Sequence, residues 1–321
     1  MVHDLTRRTF LGSAALVGAV SALGLTPTHD GYESASSDGL PRRSSFDRGW
    51  KFFLGDSINA QDPALDDRTW TPLNVPHDWS IAGPYSETAP GGSTGGYLPT
   101  GVGWYRKSYW LPHSAAGRRI LLEFDGVYQC SDVWLNGHHL GSRPYGFITF
   151  CYDLTAYLKY GKETNLIAVR VDNSHQPNLR WYSGSGIYRH TWLINTGLVY
   201  IQQWGTGITT PEITDERAIV KVTTRVRNDL KQPAACSLDT VVRDDKGEVI
   251  QTVNTEAEID PGGSISSSSR SRWRTRNSGL PRCRIFIRWV RFCSIVAKVQ
   301  MKPRPALGFA PWSSTPTRVF F

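Results

Sequence analysis

Cysteine and methionine are scarce in this 321-residue chain, at 5 and 2. Five thiols over such a length exclude a disulfide-built scaffold, which small secreted domains make from a much denser set. Cys130, Cys151 and Cys236 precede residue 264, and Cys283 and Cys293 follow it, so at least one of the first three stays unpaired. Buried thiols are expected, with Cys130 and Cys151 the one pair open to bridging. Long apolar runs are missing too: none reaches the roughly 18 residues of a membrane span. No His/Cys cluster has metal-ligand spacing, and no Ser/His/Asp set has the context of a nucleophilic site. Neither a metal nor a cofactor is therefore expected. The Gly-rich loop from Gly91 to Gly101 does not join a strand to a helix, which argues against a phosphate cradle.

The sharpest absence is local. From Ser264 to Phe321 there are 12 Lys and Arg and no Asp or Glu. The preceding residues carry 24 basic against 28 acidic side chains, so the formal net charge of +8 belongs to the tail alone. Taken whole, that charge would suggest a nucleic-acid partner. Divided along the chain, it leaves a mildly acidic body for which no nucleic-acid partner is expected.

What is present is apolar and aromatic. A hydrophobic content of 40%, with 12 Trp, 13 Tyr and 12 Phe, excludes a disordered chain. The length suits about two domains at roughly 150 residues each. At the N-terminus, Arg7-Arg8-Thr9-Phe10-Leu11 precedes a short apolar stretch ending near Leu25, with small residues at Val20-Ser21-Ala22. Paired arginines in this order resemble a twin-arginine export signal, so residues 1–26 are expected to direct the protein to the periplasm or beyond. Residues 27–43 read as a polar linker.

From Phe46 onward, period-2 patterns replace helical ones. Trp104–Trp110, Arg119–Phe124, Ser131–Leu135, Asn165–Val171, His190–Ile194 and Leu198–Gln202 read as strands. Asn136-Gly137 between two extended runs is a strong hairpin signal, because both turn positions favour positive φ. Asp153–Leu158 is the one short helical turn expected. Many short strands separated by Gly, Pro and Asn turns predict an all-β chain built as a β-sandwich. Ala218–Thr223, Cys236–Val242 and Glu248–Val253, the last two joined by Asp245-Lys246-Gly247, predict a second, immunoglobulin-like sandwich packed tightly on the first.

An ordered set of motifs then carries a resemblance: Phe46-Asp47-x-Gly49-Trp50-x-Phe52, Val75-Pro76-His77-Asp78-Trp79, Gly103-Trp104-Tyr105-Arg106, Asp125-Gly126-Val127, Val133–His138 and Ser185–Arg189. Together they resemble the N-terminal half of glycoside hydrolase family 2, of the β-galactosidase type, over about Ser44 to Asp260. The resemblance implies a jelly-roll, galactose-binding-like sandwich at 44–197 and an incomplete immunoglobulin-like sandwich at 198–263. In the family a catalytic (β/α)8 barrel follows. It also implies that Leu98, Thr100 and Gly101, in the Pro-Thr-Gly loop, sit on the rim of the barrel's sugar pocket.

Arg180 and Trp181 form a second rim candidate. A guanidinium can donate to hydroxyls, and an indole face can cover the C–H surface of a ring. In several family members the position matching Arg180 is an acidic residue that contacts the sugar, which leaves the sugar preference open. Trp50, Trp70, Trp79 and Trp134 read as core or edge fillers, Asp78 as a loop anchor, and Arg189 as an ion-pair partner.

No catalytic residue is expected in the chain. Retaining hydrolysis needs two carboxylates about 5–5.5 Å apart. The family's acid/base lies in an Asn-Glu dipeptide, and none occurs here. The expectation is a fragment, inactive alone, of an exported glycosidase acting on a β-linked galactoside or similar carbohydrate. The alternative is a non-catalytic carbohydrate-binding module. Oligomeric state stays open.

The tail at 264–321 reads as frame-shifted. Synonymous codons for Trp273 to Phe321 can be chosen so that the overlapping frame gives E-N-P-K-L-W-S-P-E-M-P-D-L-Y, an acidic stretch and then G-F-R-T-L-E-F-D. That is the family's way of closing this domain and entering the barrel. The slip would fall between about Pro261 and Arg272. An unordered tail, an open sheet edge on the second sandwich, and apolar surface at Ile285, Phe286, Ile287, Trp289, Val290 and Phe292 are expected to follow.

Overall fold

A computed structural model of the chain describes residues 41–178, 180–213, 217–243, 249–274, 294–301 and 316–319. The export segment, residues 27–40 of the linker, the Asp245–Gly247 turn and the apolar run from Ile285 to Phe292 lie outside them. All described residues belong to one compact unit, Glu33–Phe321. Among the described residues no helix is long and apolar enough to cross a membrane.

Ten strands make the first sandwich: β1 (Arg43–Ser45), β2 (Trp50–Leu54), β3 (Thr71–Leu73), β4 (Gly101–Tyr109), β5 (Arg119–Phe124), β6 (Ser131–Leu135), β7 (His138–Arg143), β8 (Phe150–Asp153), β9 (Asn165–Asn173) and β10 (Thr191–Thr196). One sheet runs β3-β2-β4-β9-β6-β7, the other β1-β10-β5-β8, and every pairing is antiparallel. The predicted strands at Arg119–Phe124 and Ser131–Leu135 coincide with β5 and β6. Asn136 and Gly137 take φ of 50° and 86° in the β6–β7 turn, as their residue types favour. The expected helical turn is a 3-10 turn at Thr155–Tyr157.

Alternation explains the layering. In β6, Val133 and Leu135 point into the sandwich and Trp134 points out. Trp50, Tyr105, Leu122, Phe124, Val133, Leu135, Ile167, Val169 and Val171 come from both sheets and close one buried core. Burial of side chains of this size stabilises by about 1.5–3 kcal/mol each. The outer face of the six-stranded sheet is partly covered by the segment between β2 and β3, where Ala60 and Trp70 pack on Trp104 and Ala168. Arg106, also on that face, is 2% exposed. It donates to the carbonyls of Ala60, Asp62 and Leu65 and to Asp67 Oδ2 at 2.9 Å. Trp50, Trp70 and Trp79 are buried, in line with filler roles, whereas Trp134 is half-buried.

The second sandwich contains β11 (Val199–Ile213), β12 (Arg217–Asn228), β13 (Ala234–Arg243), β14 (Val249–Ile259), β15 (Ser264–Arg274), β16 (Ser294–Met301) and β17 (Pro316–Val319). The sheets run β11-β12-β15 and β14-β13-β16-β17. Val199, Ile201, Val226, Ala234, Cys236, Leu238 and Ile259 form its core. Arg119 on β5 reaches across to Asp229, which also accepts from the Tyr200 hydroxyl at 3.0 Å and from Arg227 at 2.6 Å. Buried Glu123 likewise accepts from Arg43 at 2.8 Å and from Gln203.

Two expectations are corrected here. The edge of β12 is not open: β15 pairs with it from Arg227↔Ser264 to Arg217↔Arg274, and β16 pairs with β13. A strand edge offers backbone donors and acceptors that almost any extended chain can satisfy, and Ile265 reaches the second core. The thiols of Cys130, Cys151 and Cys236 are all free, and only Cys236 is buried; the other two are half-buried.

Candidate functional site

The site is built where two loops meet beside the end of β9. Asp78, in the loop after β3, is its organiser. Asp78 Oδ1 accepts from the backbone N–H of Ser80 and of Ser185, each at 2.9 Å, and Oδ2 accepts from the Tyr182 hydroxyl at 2.5 Å. Burial, with the Asp78 carboxylate accepting its proton, pushes the Tyr182 phenol above its usual range. Asp78 thus works as the loop anchor its sequence context suggested. Ser80 Oγ donates to Ser185 Oγ at 2.6 Å, and the backbone of Trp79 donates to Ser185.

Glycine is required at two positions of the second loop. A Cβ on Gly184 would meet Asp78 Oδ2 at 2.6 Å, and one on Gly186 would meet the Tyr105 hydroxyl at 2.2 Å and the His77 carbonyl at 2.8 Å. Both have positive φ, at 76° and 117°. Below them, the Tyr105 hydroxyl and His77 Nδ1 lie 2.8 Å apart. Burial holds the His77 imidazole below its usual range.

Asn173 closes the third side. It is 2% exposed, and its Nδ2 donates to Ser185 Oγ at 2.7 Å and to the Gly184 carbonyl at 3.1 Å. Its Oδ1 accepts from Asn178 at 2.7 Å and Gln176 at 2.9 Å. The result is a narrow cleft lined by Ser80, Gly95, Pro99, Thr100, Asn173, Gln176, Asn178, Trp181, Tyr182, Ser183 and Gly184. Its enclosed space is about 10 Å³, enough for one water. Among the described residues no Asp, Glu, Lys, Arg or His lines it, and the residues that line it supply amide and hydroxyl hydrogen bonds and an indole.

The structure brings Thr100 and Trp181 together in this lining, with Trp181 63% exposed at the mouth. It does not bring in the other three rim candidates. Leu98 is buried, Gly101 opens β4 beside the cleft, and Arg180 is exposed outside the lining. Arg189 forms no ion pair among the described residues; its stem instead lies over Gly126, where a Cβ would meet it at 2.9 Å. Sequence reasoning missed Asn173 and Gln176. The run of amides directly after a strand, Asn173-Ser174-His175-Gln176-Pro177-Asn178, was the available signal. Among the described residues no group of three or more His, Cys, Asp or Glu is placed to hold a metal ion.

The chain is an antiparallel β-sandwich with a neutral, aromatic-rimmed loop cleft. Residues 93–199 match the family "Glycosyl hydrolases family 2, sugar binding domain". The chain thus carries the N-terminal sugar-binding domain of glycosyl hydrolase family 2 and is similar to the N-terminal part of that family's members.

Beta-galactosidase BoGH2A of Bacteroides ovatus is 43% identical over 233 residues, which are 72% of this chain and 27% of that protein. A Beta-glucuronidase of Formosa agariphila is 30% identical over 239 residues, 68% of this chain and 24% of that one. The chain thus spans about a quarter of these relatives. Among solved structures, a family-2 member from Bacteroides cellulosilyticus superposes with a TM-score of 0.74 at 29% identity, covering 87% of this chain and 35% of that one. A beta-glycosidase from Bacteroides vulgatus gives 0.71 at 31% identity, covering 87% and 34%.

Proposed function

We propose that residues 44–263 are the sugar-binding jelly roll and immunoglobulin-like part of an exported glycosidase that hydrolyses a terminal β-linked galactoside. In this reading the chain itself binds carbohydrate without cleaving it. The observation that carries the reading is the convergence of Thr100 and Trp181 on one neutral cleft held by Asp78 and Asn173. An indole at the mouth and amides within suit a sugar's C–H face and hydroxyls. A cleft of that size acts as a rim, with Leu98, Gly101 and Arg180 flanking it, and a catalytic domain would supply the pocket and its two carboxylates. The β-galactosidase name of the 43% identical relative supports galactose. The Arg7-Arg8 motif supports export.

The reading extends to the tail. Its lack of acidic residues over 58 positions, and the family-like text allowed in the overlapping frame, support a slip between about Pro261 and Arg272.

One observation favours a second reading, a β-glucuronide. Arg180 is exposed beside the cleft where several family members have an acid, and a guanidinium complements a uronate carboxylate. Competition between galactose and glucuronate for the purified chain separates the two sugars.

The parent-enzyme reading is tested on the gene. Nucleotides around codons 261–272 and downstream should carry barrel sequence in the other frame. A single intact frame with no such continuation would contradict it and favour a free-standing binding module.

A further inference from the structure

The outer face of the six-stranded sheet holds a depression of about 500 Å³, separate from the loop cleft in its lining residues. Its floor is a set of adjacent outward side chains. Register places Arg170 between Trp104 and Asp132, and Ala168 between Arg106 and Trp134, with His139 paired to Trp134 on the next strand. Because Ala168 is small, Trp134 leans across it and stacks on Trp104, with ring centroids 5.3 Å apart and planes 26° apart. One wall is the loop after β2, which contributes Asp56, Ser57, Ile58, Asn59 and Gln61.

The one cation in this lining, Arg170, is already paired. Arg170 donates to Asp56 at 2.8 and 3.1 Å and pairs with Asp172 at 3.3 Å, and Trp104 Nε1 donates to Asp56 at 3.0 Å. No cation in the lining is left for a phosphate, sulfate or nucleic-acid backbone. The groups that remain open are neutral or acceptors. Asp132 uses Oδ1 for Ser142 and for His139 at 3.1 Å, while its Oδ2 faces no donor among the described residues. The side chains of Ser57, Asn59 and Gln61 likewise have no partner among the described residues.

We propose that this groove is a second saccharide site, one that takes a neutral β-linked oligosaccharide of about two rings. The half-buried Trp134, backed by Trp104 and flanked by the His139 ring at 5.1 Å between centroids, offers its remaining exposed surface to a ring's C–H face. Asp132 Oδ2 accepts from sugar hydroxyls, and Asn59, Gln61 and Ser57 donate to and accept from them. The site goes beyond the loop cleft and does not rest on it. A binding face on the module, away from the loop cleft, would hold the protein on a polymeric substrate.

The test is calorimetric titration of the full 321-residue chain with β-1,4-galactotetraose. Saturable binding is expected. Trp134→Ala should weaken it by about tenfold or more. Because Trp134 also packs on Trp104, a second variant avoids the core: Asn59→Gly with Gln61→Ala. Glycine suits the φ of 62° at Asn59, so this variant should fold normally and still weaken binding several-fold. No saturable binding by the wild-type chain would overturn the proposal. So would binding that both groove variants keep and Trp181→Ala loses, since that result places the sugar in the loop cleft and supports the first reading alone. Preference for a glucuronate-bearing oligosaccharide would overturn the neutral class.

Discussion

The two sandwiches share antiparallel pairing but differ in what specifies them. The first closes on a buried cluster of 21 residues, eight of them Phe, Trp, Tyr or Leu from β2, β4, β5, β6 and β8. Among the described residues, the second closes on a cluster of seven with no aromatic among them. The first also builds loops that cross-brace one another through Asp78, Asn173 and two glycines with positive φ. The second adds β15, in which nine of eleven residues are Ser or Arg, through backbone pairing along its whole length and the core contact of Ile265. Side-chain packing selects one arrangement, whereas backbone hydrogen bonding accepts many sequences. Function is therefore expected to reside in the first sandwich.

The largest test of this contrast is Asp67→Ala. It leaves the Arg106 guanidinium, 2% exposed, with carbonyl partners only. A loss of about 3–5 kcal/mol is expected in urea unfolding, because an uncompensated charge stays buried. Matched truncations come next. Leu135→Ala in the first core should cost about 4 kcal/mol and Leu238→Ala in the second about 2 kcal/mol. Equal costs would remove the distinction between the cores. Asp78→Ala frees the N–H groups of Ser80 and Ser185 and the Tyr182 hydroxyl, for a loss of about 2 kcal/mol in thermal unfolding and weaker carbohydrate binding at the cleft.

The smallest effect is on acid stability. Burial works to raise Asp67, but Lys51 and Arg106 hold it below the usual carboxylate range. Burial likewise works to raise Asp47, and hydrogen bonds from Thr191 and His190 hold it down. Each contributes stability in full above its unfolded value of 3.8 and loses it as pH falls through its lower folded value. Melting curves between pH 5 and 2 should show the first sandwich weakening in that window, less steeply in Asp67→Asn.

Strands with alternating aromatics were readable from sequence because packing demands period 2, and the Asn136-Gly137 turn because positive φ restricts residue choice. Part of the cleft was readable as well: Thr100 and Trp181, two of its lining residues, were candidates, and Asp78 stood out as an anchor. Asn173 was not, because its role depends on β9 ending beside two loops distant in sequence. The groove was hidden for a related reason. Trp134, Asp132 and Arg170 meet only through strand register, and Asn59 and Gln61 arrive from a loop without a pattern. β15 was unreadable because its pairing asks little of its side chains.

The central claim is that this chain recognises a carbohydrate and does not hydrolyse it. Purified chain mixed with 4-nitrophenyl β-galactoside tests it, with heat of binding and nitrophenolate release followed in the same preparation. Saturable binding without release is the expected result. Release that co-purifies with the chain through successive columns would contradict it.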